Sequence, residues 1–402
     1  MKILILASKP PWPPHDGGAI ATLRCIEGLT QNGASVSVLA MRTQKHDHSG
    51  AITTGSVNAP VYYQTVSIDT SVKVLRLLSN FLFSDTPYDL ARFRSREFSL
   101  ILQTVIKKGN FDIIQCEGLL FSGYLEEIRA VTSAPVILRA HNVEHRIREM
   151  TASQTDRIIE KYYLKNLAAR LMRTEANAAN RFDAIVPISG PDMEWFTTTA
   201  PGKPVIKIET GVDSITSPDS VSSDNRRVGF IGSLDWRPNA EGLIWFLRQV
   251  WPYVSKRMPA ASLHIAGINA PEKVRKQLTG RNVFFEGEVP DAHTFTSSMS
   301  VMIAPLFAGS GMRIKILEAM SLGKAVVATP VAAEGLPLTD RKDIMIASDQ
   351  FMFSSALIEL LGRPDLREQV SSAACMLVKD KFDNRKLTLK LLGFYKELTG
   401  GR

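Results

Sequence analysis

The chain reads as an α/β protein of two doubly wound, Rossmann-like domains facing a cleft, and three features of the sequence point there. Its 402 residues exceed what one ordinary hydrophobic core organises, so two domains are the first expectation. Short apolar runs of strand length alternate with longer stretches of helical spacing along nearly the whole chain. Near the middle, residues 214–225 are rich in Ser and Asp and have the composition of a linker. The sequence therefore divides into an N-terminal domain over 1–210, a linker over 211–225, a C-terminal domain over 226–382 and a terminal helix within 383–402.

The first domain opens with Lys2–Ala7, a buried parallel strand by its apolar run. A loop stiffened by four prolines follows, and Gly17-Gly18 let it turn against a helix beginning near Ala19. Because this loop leaves the carboxyl end of a central strand, Gly17 and Gly18 are candidate ligand-binding positions. Ala34–Met41 is the second strand. It ends without an acidic residue, and no Gly-x-Gly-x-x-Gly follows the first strand, which argues against a nicotinamide-dinucleotide dehydrogenase. Residues 42–60 read as polar loop.

Between 71 and 108 stand seven Lys/Arg against three acids, and Val72, Leu75, Leu78 and Leu82 recur at helical spacing. This is either a solvated helix face or a basic amphipathic surface resting on anionic lipid. Phe111–Glu117 is a strand with a polar end, followed by a helix to about Val131. The strand Pro135–Ala140 then runs into His141-Asn142-Val143-Glu144-His145. That cluster either caps a long helix over 146–180 or faces a ligand. Two histidines four apart could share a metal on a helix, but no third ligand stands at sensible spacing, and no metal is expected. Phe182–Ile188 is a strand, Ser189-Gly190-Pro191-Asp192 opens a helix, and Val205–Glu209 is a last short strand.

The second domain has strands at Val228–Ser233, Ser262–Ala266, Val283–Gly287 and Val301–Pro305, and its centre is the stretch around residue 310. There a strand, a glycine-rich turn, a helix and the strand Lys324–Pro330 follow one another. Ile314, Leu317 and Met320 lie three apart and share the buried face of the helix. Gly309 and Gly311 let backbone N–H groups approach a ligand, and the positive end of the helix dipole faces the same spot, which outlines an anion site. Arg313 and Lys315 stand where the dipole disfavours cations. A bound phosphate would explain them; a basic turn open to water is the plainer alternative. Glu318, about one and a half turns in, can accept from hydroxyls such as a ribose diol.

Gly309–Gly323 resembles the donor-binding segment of the retaining glycosyltransferases of family four, which have the GT-B architecture. The family pattern is Glu, seven residues, Glu, then Ala-Met and a nearby Gly. Glu318-Ala319-Met320 and Gly323 match it, while Ser310 stands where the first glutamate would fall. The resemblance implies a nucleoside-diphosphate sugar as co-substrate, no cofactor and no metal. It implies a hydroxyl on a glycan or lipid-linked acceptor, and a role in surface polysaccharide or glycolipid synthesis. Carried over by position, it puts His141 by the donor sugar, Gly17 and Gly18 near phosphate, Val289 near the base, and Gly309, Ser310, Gly311, Met312 and Ile314 around the donor. The family's Arg and Lys on the diphosphate are replaced here by Ser233 and Asn239, so Arg237, Arg313 and Lys315 are the available cations. His141, Arg313, Lys315 and Glu318 are the expected catalytic set. Gly211-Val212-Asp213 resembles the crossover between domains, and the terminal helix is expected to cross back onto the first.

In such a reaction the leaving diphosphate gains charge, which N–H groups, a helix dipole and cations stabilise. The acceptor hydroxyl gives its proton to the departing phosphate oxygen, so no dedicated base is required. A sugar-nucleotide epimerase on the same architecture and a catalytically silent nucleotide-sugar-binding subunit stay open as alternatives.

A net charge of +8 and a pI near 9.3 call for an anionic partner, which the resemblance assigns to donor phosphate and an anionic membrane surface rather than nucleic acid. Three widely spaced cysteines form neither a disulfide framework nor a metal motif, and no run reaches membrane-spanning length. A cytoplasmic protein, peripheral on the inner face of the membrane, is the resulting expectation.

Overall fold

The computed structural model describes residues 1–14, 16–44, 62–155, 157–213, 226–308 and 312–400. The chain divides into two compact units, Met1–Gly211 with Asn384–Arg402, and Val212–Asp383. Of the stretch read as linker, Gly211 thus falls in the first unit and Val212-Asp213 in the second, while 214–225 lie outside the described residues.

In the first unit, β1 (Lys2–Ala7), β2 (Ser35–Arg42), β3 (Tyr62–Ser67), β4 (Ile113–Glu117), β5 (Val136–Ala140) and β6 (Ala184–Pro187) form one sheet. Every pairing is parallel and the order is β3-β2-β1-β4-β5-β6. The central strands are unbroken apolar runs because both faces are covered. Leu4 and Leu6 enter a core with Phe98, Phe121 and Tyr124. Ile3 and Ile5 enter the opposite core with Ile26, Leu391, Leu392 and Tyr395. The terminal helix Asn384–Leu398 is therefore a structural layer of the first unit.

Four sequence readings change here. Helix Gly17–Gln31 begins at the glycines themselves, because the Asp16 carboxylate caps the Ala19 N–H at 2.9 Å. β3 was not foreseen; its half-buried polar edge pattern carries a weak strand signal. The helix read over 146–180 is two helices, Glu144–Gln154 and Ile158–Ala179, with extended backbone at Thr155 and Arg157. Finally, 205–209 forms only an isolated bridge from Val205 to Ile185, although Ile206 and Ile208 donate backbone bonds to Ile185 and Pro187.

The basic stretch 71–108 resolves into helices Val74–Phe83, Tyr88–Ala91 and Arg96–Gly109. The last is an ordinary amphipathic helix that buries Phe98, Leu102 and Ile106. Arg94 is tied to Glu127 and lies over the Tyr124 ring at 4.5 Å.

In the second unit, β7 (Arg227–Ile231), β8 (Ser262–Ala266), β9 (Val283–Gly287), β10 (Val301–Ala304), β11 (Ala325–Ala328) and β12 (Met345–Ile346) form a parallel sheet ordered β12-β11-β10-β7-β8-β9. Counted from each unit's first strand, this is the same order as in the first unit. Strand order reverses between β1 and β4 and between β7 and β10, which is where open α/β sheets bind ligands at the carboxyl ends of their strands. Helix Arg237–Trp245 sits directly on the second of these points: a Cβ at Gly242 would fall 1.7 Å from the Pro305 carbonyl oxygen. Only glycine permits that approach. The two-residue β12 was too short to read from sequence.

Candidate functional site

At the β7/β10 point, Gly309, Ser310 and Gly311 lie outside the described residues, and the description resumes at Met312. Helix Ile314–Ser321 follows with Arg313 as its N-cap residue and no acid in its first turn. Ser, Thr, Asp or Asn ordinarily fills that cap and satisfies the helix's N–H groups. Arg313 is buried, with its guanidinium 6.0 Å over the Trp236 ring. Lys315 points to the end of β7. Its ammonium donates to Asn239 Oδ1 at 2.7 Å and lies 5.1 Å from the centre of the Phe230 ring. The Asn239 amide donates in turn to the Ser233 carbonyl at 2.9 Å.

Ser233, Asn239 and Lys315 thus form one cluster, although the sequence suggested only that two expected cations were missing. The ammonium absent at 239 is delivered from another helix, 76 residues along. Burial, with the Arg313 charge beside it, lowers Lys315 to about 7. Burial also lowers Arg313, against the opposing pull of Glu334. Among the described residues no carboxylate forms an ion pair with Lys315.

Of the other expected residues in this unit, Glu318 and Met312 are half-buried and Ile314 is buried. Val289 is half-buried two residues beyond β9. Arg237 is exposed, its Nε 2.6 Å from Glu241 one turn along.

At the β1/β4 point, Gly18 lies against the Lys9 ammonium, which pairs with Asp16 at 2.6 Å. Gly17 is exposed. His141, just beyond β5, directs Nε2 to Glu117 Oε2 at 2.5 Å. Glu117 ends β4 and is buried. Arg139 Nη1 and Thr22 Oγ1 each reach the same oxygen at 3.1 Å, and Gln115 donates to Oε1. Burial works against the ionised carboxyl, but Arg139 and His141 outweigh it and Glu117 falls to about 2. Gln115 is itself held by the Tyr395 hydroxyl at 2.7 Å.

His141 and His145 do not converge on one point. His145 Nδ1 meets Glu175 at 2.8 Å, and Glu175 also accepts the Glu144 backbone N–H at 3.1 Å. A carboxylate from the neighbouring helix thereby serves the helix start that the sequence assigned to local capping. Burial and the nearby Glu175 raise the Glu144 carboxyl to about 7. Sequence reading passed over Arg139, Gln115 and Tyr395. The available signal was the i, i+2 spacing of Gln115 and Glu117, which puts two polar groups on one face of a buried strand.

Residues 225–363 match a family described as glycosyl transferases group 1. That match lies within the second unit. An uncharacterised 44.6 kDa protein from the cps region of Klebsiella pneumoniae is 23% identical to the chain, over 96% of this chain and 97% of that one. A phosphatidyl-myo-inositol mannosyltransferase of Mycobacterium leprae is 27% identical over 48% of this chain and 54% of its own. Among solved structures, Anabaena HepE in complex with UDP superposes with a TM-score of 0.68 at 14% identity, covering 99% of this chain and 100% of that one. Sucrose-phosphate synthase of Thermosynechococcus elongatus does so at 0.69 and 15%, covering 100% of each chain. These likenesses, with two parallel six-stranded sheets, establish the GT-B fold for this glycosyltransferase.

Proposed function

We propose that this glycosyltransferase moves a sugar from a nucleoside-diphosphate sugar to a hydroxyl on a glycan or lipid-linked acceptor, with retention at the anomeric carbon, in surface polysaccharide or glycolipid synthesis. The observation that carries the reading is the charge state of the β7/β10 point. Two cations stand at a helix start with no acid in its first turn: Arg313 is buried, and Lys315 is half-buried with its ammonium, among the described residues, hydrogen-bonded to a neutral amide. A desolvated ammonium is costly unless an anion answers it. A diphosphate would do so, and its charge grows as the glycosidic bond breaks. The UDP bound in Anabaena HepE and the cps-region relative support the same reading.

The roles follow. Arg313 offers a planar fork to two phosphate oxygens, and Lys315 a point charge. The Gly309-Ser310-Gly311 stretch contributes backbone N–H groups, Met312 and Ile314 flank it, and Arg237 adds charge at the rim. Glu318 accepts from the ribose hydroxyls, and Val289 lies by the base. Gly17 and Gly18 serve phosphate, and His141 serves a sugar hydroxyl. The acceptor's proton passes to the departing phosphate oxygen, so neither metal nor cofactor is required.

Thermal unfolding against a panel of nucleoside-diphosphate sugars tests the donor: a ligand at a hundred times its dissociation constant adds about 2.7 kcal/mol. No shift with any member would overturn the proposal. Proton NMR of the product's anomeric centre tests retention, and tight donor binding without transfer to any acceptor would favour a silent binding subunit.

The same reading includes peripheral attachment to the inner face of an anionic membrane. Leu75 and Phe83 on helix Val74–Phe83 and Ile158 and Ile159 on helix Ile158–Ala179 are all more than four-fifths exposed, with Arg157 exposed beside them. Phe81 meets Tyr163 across the two helices at 5.8 Å, so both belong to one surface. Among the described residues no helix is long and apolar enough to cross a membrane. Sedimentation with vesicles should show more binding to anionic than to neutral lipid, and less in high salt. Equal partitioning to both would rule out the electrostatic account.

A further inference from the structure

The buried network of the first unit does more than compensate a charge. Glu117, Arg139, Gln115 and Tyr395 are each 4% exposed or less. His141, whose side chain is 17% exposed, is the member of this group that reaches solvent. Among the described residues, every group other than His141 that bonds the Glu117 carboxylate does so as a donor. Arg139 is a permanent cation with no acceptor capacity. Thr22 shares its hydroxyl proton between Glu117 at 3.1 Å and the Gly18 carbonyl at 3.0 Å. Gln115 is turned by Tyr395: with its carbonyl accepting from the Tyr395 hydroxyl, its NH₂ faces Glu117. The carboxylate is thereby held ionised and can only accept. The His141 nitrogen bonded to it must therefore carry a proton.

We infer that Glu117 is a positioning residue that locks His141 as the Nε2–H tautomer, leaving Nδ1 as a hydrogen-bond acceptor for a substrate hydroxyl, and that the terminal helix sets this arrangement through Tyr395. The inference rests on the glycosyltransferase reading for what meets Nδ1, but not for the tautomer itself. Neutral histidine has one donor and one acceptor nitrogen, and a carboxylate on one side decides which is which. A sugar or acceptor hydroxyl can then donate to Nδ1. With the opposite tautomer the ring would present a proton there and reject the same geometry. Arg139 and Glu117 are direct Cα partners in the β4–β5 register, so the ion pair that anchors the carboxylate is fixed by the sheet. Tyr395 joins that anchor from 280 residues away.

The test uses the full chain labelled with ¹⁵N in its seven histidine rings. Long-range ¹H–¹⁵N correlation at about pH 8, where an ordinary imidazole is neutral, reads the tautomer of each. The His141 signal is assigned by its loss in His141→Asn. Nε2–H is expected for His141 in the wild type, and Nδ1–H would overturn the inference without any further variant. In Glu117→Gln the amide can donate, so the tautomer should switch. kcat should then fall about tenfold to a hundredfold, the scale of one or two hydrogen bonds, while the donor KM changes little. An unswitched ring with unchanged kcat would also overturn it. Should Glu117→Gln fail to fold, Tyr395→Phe removes a single hydroxyl from the same network. It should perturb the His141 resonances and lower kcat less, and an unaltered His141 signal would sink the link to the terminal helix. Absence of transfer in the wild type together with the Nε2–H signal would defeat the glycosyltransferase reading and leave the tautomer assignment standing.

Discussion

The two units share one strand order and treat charge in opposite ways at the point where that order reverses. In the first unit Glu117 is paired with Arg139 and bonded on both oxygens. In the second, Lys315 faces a neutral amide. Glu117 is buried and Lys315 half-buried, and desolvation opposes the charged form of each. The difference lies in who supplies the counter-charge. The first unit supplies its own and uses it to hold a histidine, whereas among the described residues of the second no carboxylate forms an ion pair with Lys315. A buried pair already satisfied by the protein is a scaffold, and a half-buried cation that is not is suited to answer an anion.

Removing each charge should therefore have opposite consequences. Glu117→Ala leaves Arg139 buried without its partner and should cost about 3–5 kcal/mol in urea unfolding. A loss near zero would break the contrast from the first side. Glu318→Ala deletes a half-buried hydrogen-bonding group and should leave the fold intact. Affinity for the nucleoside diphosphate should fall by roughly 1.5–3 kcal/mol, the scale of a hydrogen bond to a charged group. Unchanged affinity in a calorimetric titration would remove Glu318 from the site. Lys315→Met should stabilise the ligand-free protein by roughly 1–2 kcal/mol while abolishing most turnover, because the cation's desolvation cost disappears with its function. A destabilised, fully active variant would show that Lys315 is structural.

Protonation sharpens the same contrast. Lys315 titrates at about 7 in the folded protein, against about 10.4 in an unfolded chain. Between those values the unfolded state binds the extra proton, so this residue makes stability rise with pH across the window and contributes no slope below it. Glu117, lowered to about 2, works from the other end. Its contribution is complete above the ordinary carboxylate range and is lost as pH falls toward 2. A bound diphosphate would restore the Lys315 proton. Binding at about pH 8 should then take up a fraction of a proton, the smallest effect here, measurable by titration calorimetry in buffers of differing ionisation enthalpy. Binding heats that do not depend on the buffer would separate Lys315 from the ligand.

Much of the architecture was legible before any coordinates. The runs at Lys2–Ala7 and Ser262–Ala266 are strands over those residues, and the helix after residue 313 begins where its spacing put it. Continuous apolar runs can only be doubly covered strands, and three-residue spacing can only bury one face of a helix. The misses were elements with weak local signals. β3 is an edge strand with little to bury, β12 has two residues, and the break at 155–157 has neither glycine nor proline to mark it.

The site divides along the same line. Sequence alone determined that two cations stand at the start of the helix from Ile314, since the helix start and its cations are properties of adjacent residues. It also determined that the chain alternates strand and helix twice over, because periodicity is local. Tertiary structure decided that Lys315 would meet Asn239, that Arg139 would stand beside Glu117, and that Tyr395 would close the network from the far end of the chain. Those pairings depend on register and on which helix covers which face. A buried charge finds its partner through the sheet's geometry, and the residues that flank it in sequence carry no record of it.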